Sequence, residues 1–214
     1  MHNKIWFFFI FWVLLIICAT VHAQNMIDNR IVDHIKSVKN RVLELKSYRY
    51  KLTNKFMKKK LIIDEMNYSF SKPLNIRIEW LSPRSKRGQI AVYSDNTMKA
   101  AFSWMPFVIE VNPDSDIGKG GYDYPIYRST VGDLLIQTVD DFKRLISAKV
   151  IEETEEYAVY ELVNDTNRAN VKIDKNKQVP VYIEQFDLKG NLVNAGYFDE
   201  FEVNVEFEKG YFKL

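Results

Sequence analysis

The sequence predicts a mainly β fold: one long antiparallel sheet of about ten or eleven strands, covered by two amphipathic helices. Three observations carry this. Apolar and polar residues alternate through most of the 214 residues, the period of a half-buried strand. Short turns rich in Asn, Asp, Gly and Lys join the alternating runs, and tight turns make neighbouring strands antiparallel. Two stretches switch to a spacing of three and four, the helical period.

The chain opens on a leader. Lys4 is the only charge before the apolar run Ile5–Cys18, and a short polar stretch then ends in Val21-His22-Ala23. Fourteen apolar residues fall short of the roughly 20 that a membrane span needs, and they suit a signal-peptide core. Small residues at 21 and 23 predict cleavage before Gln24. The expected organisation is therefore a signal peptide over 1–23 and one domain over 24–214.

The first amphipathic helix is expected over 26–45. Ile27, Ile31, Ile35, Val38, Val42 and Leu45 form one stripe, Asp28, Arg30, Asp33 and Lys36 fill the other side, and Asn25 is the expected N-cap. The period then falls to two. Strands are expected over 47–56 and 61–70, around the basic turn Met57-Lys58-Lys59-Lys60. Pro73 separates them from a strand over 75–81, in which Ile76, Ile78 and Trp80 alternate with Asn75, Arg77 and Glu79. Strands over 89–94 and 97–103 flank Asp95-Asn96, a two-residue hairpin turn, and one more is expected over 107–111.

Residues 112–127 are irregular, with Pro113, Gly118 and Pro125. A second helix is expected over 131–146, where Thr130 and Asp133 resemble a capping box. Strands resume over 148–152, 157–163, 169–174, 179–187 and 192–199, and an extended piece runs to Leu214.

Removal of the leader narrows the chemistry. It takes away Cys18, the only cysteine, and two of the three histidines, leaving His34. Lipidation at Cys18 would need a small residue before it, and Ile17 stands there. Zinc sites built on several His or Cys ligands are excluded, and Ser-His-Asp catalysis would have to recruit His34 from a helix. Asn112, Asp114, Asp116 and Gly118 space oxygen atoms somewhat like a calcium loop, but no glutamate completes that pattern and turn chemistry explains the same residues. Glu152-Glu153 and Glu155-Glu156 bracket a turn, where adjacent residues face opposite ways and form no paired-carboxylate site. No metal, cofactor or catalytic group is expected.

Charge is uneven along the chain. Residues 24–110 hold 17 Lys/Arg against 8 Asp/Glu, net +9, and residues 111–214 hold 12 against 20, net −8. Two oppositely charged surfaces of one fold account for this, and so does a basic face for an acidic partner or for anionic lipid head groups. Nucleic acid is not an expected partner, because the chain is exported and no basic segment is interleaved with a binding motif.

The run Lys72-Pro73-Leu74-Asn75-Ile76-Arg77-Ile78-Glu79-Trp80, then Pro83, the Asp95-Asn96 turn, Pro125-Ile126, Gly132-Asp133-Leu134-Leu135 and the closing Tyr197-Phe198 and Phe201-Glu202-Val203-Asn204 resemble the LolA-like superfamily of periplasmic lipoprotein carriers. The resemblance covers nearly all of 24–214. It implies an open antiparallel half-barrel with two or more helices over its concave face and a cavity for acyl chains between them. On it, Tyr68, Phe70, Ile76, Ile78, Trp80, Ile90, Val92, Met98 and Phe102 line the cavity. Ile31, Ile35, Val38, Leu134 and Leu135 belong to the lid. Lys72 stands where the carriers place an arginine that latches the lid. The expected protein is a periplasmic, monomeric, non-enzymatic carrier of lipoprotein acyl chains or lipids, with a membrane-bound donor or acceptor protein as partner. A lipid-sensing or adaptor domain is the alternative, and an exported hydrolase the third. Residue pattern alone leaves open whether the apolar face is a cavity or a dry core.

Overall fold

The computed structural model of the chain describes residues 28–119, 124–141 and 144–214. The expected leader and the Asn25 cap lie outside them. Helix α1 (Asn29–Glu44) precedes β1 (Ser47–Met57), β2 (Leu61–Ser71), β3 (Asn75–Ser82), β4 (Ile90–Ser94), β5 (Thr97–Ala101) and β6 (Val108–Val111). Helix α2 (Val131–Asp141) follows. Then come β7 (Ser147–Glu153), β8 (Tyr157–Val163), β9 (Asn167–Asp174), β10 (Val179–Asp187) and β11 (Leu192–Val203).

All eleven strands form one antiparallel sheet in the order β6-β5-β4-β3-β2-β1-β11-β10-β9-β8-β7. The first and last strands meet at the centre, and each half grows outward by hairpins. The edges, β6 and β7, do not pair, so the barrel stays open. Residues 112–146 must therefore carry the chain from one edge to the other. This crossover contains α2, so topology alone puts a helix where it can cover the sheet.

Local chemistry sets most boundaries. Asp95 and Asn96 both take positive φ, 52° and 60°, as a type I′ hairpin turn requires. Asp28 caps α1: its carboxylate accepts from the Arg30 amide at 3.0 Å. Thr130 caps α2, accepting the Asp133 amide at 3.1 Å, and its hydroxyl bonds back to the Asp133 carboxylate at 2.5 Å. The α-helix ends at Asp141 rather than at residue 146, because Ile146 already donates its amide to Val163 at 2.8 Å and leads into β7.

The piece after β11 is not a plain extension. It leaves the sheet at Asn204, where φ is 56°, and crosses the convex face. There Arg77 donates to the Tyr211 carbonyl at 3.2 Å and lies over its ring, and the Tyr211 hydroxyl meets Ser69 Oγ at 3.0 Å.

Helix α1 buries Ile31, Ile35, Val38 and Val42. It packs over β7 and β10 and against α2. Beneath that half of the sheet run the cross-strand rows Ala148–Leu162–Ala169 and Tyr160–Val171–Ile183. The small alanines leave room for the helix to approach. Burial of its four-residue stripe contributes about 2 kcal/mol per side chain, which makes this half a closed core. Gly132 supports the helix pairing: a Cβ there would lie 2.6 Å from Leu43 Cδ2.

Candidate functional site

The other half of the concave face differs. Its floor is built of cross-strand rows from β1 to β5. One row runs Trp80–Met66–Leu52 and on to Phe198, and the next runs Ala100–Ala91–Ile78–Tyr68–Tyr50. A third runs Met98–Tyr93–Ile76–Phe70–Tyr48. Side chains opposite one another in an antiparallel pair share a face, so alternation along each strand becomes a continuous apolar floor.

Two cavities lie between this floor and the crossover. The narrower, about 60 Å³, is walled by Leu52, Met66, Tyr68, Ile78, Trp80 and Met98 below and by Ile117, Tyr124, Ile126 and Leu134 above. The wider, about 280 Å³, extends to Phe56, Lys58, Gln185 and Asn194 at one end of the strands, with Ile183, Phe198, Gln137 and Thr138 around it. Leu52, Asn54, Tyr124 and Leu134 are walls of both, so the two adjoin. Among the described lining residues there is no carboxylate, histidine or cysteine; the charges are Lys58 and Lys119. Gly118 closes the narrower cavity where a Cβ would meet the Asn112 carbonyl oxygen at 2.3 Å.

Aromatic stacking stiffens the floor. Tyr50 stacks on Tyr68 at 4.9 Å and on Phe201 at 5.1 Å, and Tyr48 on Phe70 at 4.7 Å. The hydroxyls of Tyr48 and Tyr68 reach the start of α2. Tyr48 accepts the Val131 amide at 3.3 Å, and Tyr68 meets Ser129 Oγ at 3.1 Å. The Tyr50 hydroxyl and the Trp80 indole N–H are buried without a hydrogen-bond partner among the described residues. Burial pushes the hydroxyls of Tyr48, Tyr50 and Tyr68 above the usual phenol range, and the neighbouring tyrosines push Tyr50 and Tyr68 further.

The structure sorts the expected lining residues into four groups. Tyr68, Ile78, Trp80 and Met98 do line the narrower cavity. Phe70 and Ile76 face the same way but are packed in the closed row beside it. Phe102 is half-buried near the β5 end, 5.7 Å from Trp104. Ile90 and Val92 are a correction: they pair with Glu79 and Arg77, so they face the convex side. Equal spacing within each strand does not fix the relative phase of two strands. The β3–β4 connection set that register, and it placed Ala91 and Tyr93 inward instead.

The lid also divides. Leu134 is a wall of both cavities, and Leu135 is fully buried in the core. Ile31, Ile35 and Val38 lie in the closed half with α1 and line neither cavity. Lys72 donates to the Glu44 carbonyl at 3.1 Å, at the end of α1. His34 lies in the closed half, its Nδ1 2.6 Å from the Tyr160 hydroxyl. In the loop that resembled a calcium site, the Asn112 side chain accepts the Asp114 amide and Asp114 accepts from the Tyr127 hydroxyl, which is turn chemistry.

Sequence reasoning missed Asn54, Met66, Ile117, Tyr124 and Ile126. Met66 lies on the same phase as Tyr68 and was readable. The three from the crossover sit in an irregular stretch that carries no period.

No family model matches the sequence, and no curated protein matches it. Solved structures do. MucB matches at a TM-score of 0.56 with 8% identity, over 87% of this chain and 63% of MucB, so the chain spans less than two thirds of MucB's length. The Pseudomonas aeruginosa MucA/MucB complex matches at 0.51 with 9% identity, over 85% of this chain and 60% of that one. A LolA superfamily protein from Nitrosomonas europaea matches at 0.42 with 9% identity, over 86% and 97%. At these identities the likeness is one of fold: the chain shares an open antiparallel half-barrel with MucB.

Proposed function

We propose that this chain, exported and trimmed to residues 24–214, is a carrier that binds acyl chains of lipoproteins or lipids between the β1–β5 floor and the α2 crossover. The observation that carries the proposal is the pair of adjoining cavities on the concave face, walled by apolar side chains and edged by lysines. Such a lining suits an amphiphile with a hydrocarbon tail and an anionic head. The Trp80 N–H offers a donor for an ester or amide carbonyl. The wider cavity, about 280 Å³, lies just under the usual range for small-molecule sites, about 300–1,000 Å³. A whole acyl chain therefore needs the crossover to move outward. Each methylene it buries contributes about 0.8 kcal/mol, so affinity grows with the length of chain that the site admits.

The experiment is native mass spectrometry of the exported protein together with titration of a fluorescent fatty-acyl probe. A co-purifying lipid or saturable probe binding is the expected result. Protein that carries no lipid and binds no probe rejects the carrier.

A sensor or adaptor is the second reading. It is favoured by the two fold matches above a TM-score of 0.5, both to MucB and one of them in a complex with MucA. The readings separate on transfer: a carrier delivers the probe from one vesicle population to another, whereas a sensor holds it and gains or loses a protein partner.

A further inference from the structure

We infer that one rim of the half-barrel is a docking surface for an anionic lipid bilayer. The inference follows from topology. In an antiparallel sheet built of hairpins, alternate turns emerge at the same rim. The turns β1–β2, β3–β4, β5–β6, β8–β9 and β10–β11 share one rim, with the entry to β7. The turns β2–β3, β4–β5, β7–β8 and β9–β10 share the other.

The two rims differ in chemistry. On the first, Met57 and Leu61 flank the β1–β2 turn, Trp104 and Phe107 stand on the β5–β6 turn, Leu188 on β10–β11 and Ile146 at the entry to β7. All six are exposed, Trp104 by 71%. Between them stand basic side chains: Lys58–Lys60, Arg84, Arg87 and Lys189, all exposed. Asp165 is the one carboxylate within these turns among the described residues. On the second rim, turns 72–74, 95–96, 154–156 and 175–178 carry none of the exposed large apolar side chains. Their charges balance, with Lys72, Lys175 and Lys177 against Asp95, Glu155 and Glu156.

Exposed apolar tips set among lysines and arginines match the two layers of a bilayer surface. The tips enter the acyl boundary while the cations meet anionic head groups, each cation contributing on the order of fivefold in partitioning. A protein partner would need a complementary surface, whereas a bilayer tolerates tips spread over several turns. The wider cavity extends to Phe56 and Lys58, which belong to the same end of β1. Docking by this rim therefore brings that end of the cavity to the membrane. The inference stands without the carrier reading, because it rests on the rim and not on the cavity contents.

The test is flotation of the exported full-length protein, with whatever N-terminus export leaves, on vesicles of phosphatidylcholine alone or with phosphatidylglycerol. Wild type should float with the anionic vesicles, less so in high salt, and the Trp104 emission should shift to the blue. The triple change Lys58→Gln, Lys59→Gln, Lys60→Gln should lower partitioning on the order of a hundredfold. Trp104→Ser with Phe107→Ser should lower it as well. These positions are exposed, so melting temperature should hold in both variants, and Asp95→Ser on the other rim should leave flotation unchanged. Wild type that does not float, or flotation that survives both rim variants, overturns the proposal. The fatty-acyl probe keeps the two proposals apart: flotation without probe binding removes only the carrier, and probe binding without flotation removes only the rim.

Discussion

Replacing Ile78 with Asp puts a carboxylate into the floor of the narrower cavity, and its consequences follow from the neighbours. Ile78 is 8% exposed, opposite Tyr68 on one strand and Ala91 on the other. None of these offers a strong partner for an anion. The change forfeits about 2 kcal/mol of apolar burial and adds about 1–3 kcal/mol for a polar group without a hydrogen bond. For a chain of this size each kcal/mol lowers the melting temperature by about 2–4 °C, so a fall of roughly 6–20 °C is expected. Probe binding should weaken by at least about 2 kcal/mol, some thirtyfold. Burial raises the pKa of the introduced carboxyl above its unfolded value. The folded form then keeps its proton longer, so the part of the loss that comes from the charge is absent below the unfolded pKa and grows as pH rises from there through the raised pKa, while the lost apolar burial remains at every pH. Probe binding should recover in mild acid. Ile76 is the internal control: it has the same residue type, strand and face, but is 0% exposed and outside both cavities. Ile76→Ala should cost about 2–5 kcal/mol of stability and leave probe affinity unchanged in the folded fraction. Ile78→Ala should cost less, since a void already adjoins it. Equal costs for the two alanine variants, with a wild type that binds no probe, would refute the reasoning and make the whole concave side a closed core.

Export should yield a chain beginning at Gln24, read by N-terminal sequencing of the envelope fraction; a chain that retains Trp6 would contradict the leader reading. Lys72→Ala removes a cation from the end of α1 and should cost about 0.3–1 kcal/mol, a drop of about 1–4 °C in melting temperature, while Lys72→Arg should restore it. Alkaline titration should show late tyrosines. Tyr197 is pushed up to about 12 by burial and by its bond to Glu184, against an unfolded value of 10.0. A raised folded pKa means that its stability is full below pH 10 and is lost as pH rises through 12. Tyr197→Phe should therefore lessen the alkaline loss in that window, followed by ultraviolet absorbance and circular dichroism together; an unchanged alkaline profile would remove Tyr197 from it.

The sequence by itself determined the strands, the helices and which residues of each strand share a face. Periodicity is local: the alternation of Ile76, Ile78 and Trp80 fixes which residues share a side, and Asp95-Asn96 fixes a turn. The failures occurred where two elements had to be placed against each other. Ile90 and Val92 faced outward because a one-residue difference in register inverts every side chain of β4. Ile31, Ile35 and Val38 kept their burial but not their expected place over the cavity. Their stripe needs an apolar partner, and nothing in α1 says which half of the sheet supplies it. Small side chains at Ala148, Ala158 and Ala169, far away in sequence, gave α1 its seat on the β7–β10 half. That left the β1–β5 half to the crossover. Ile117, Tyr124 and Ile126 became the roof because the chain must travel from edge to edge, a demand of topology that leaves no period in the residues that meet it.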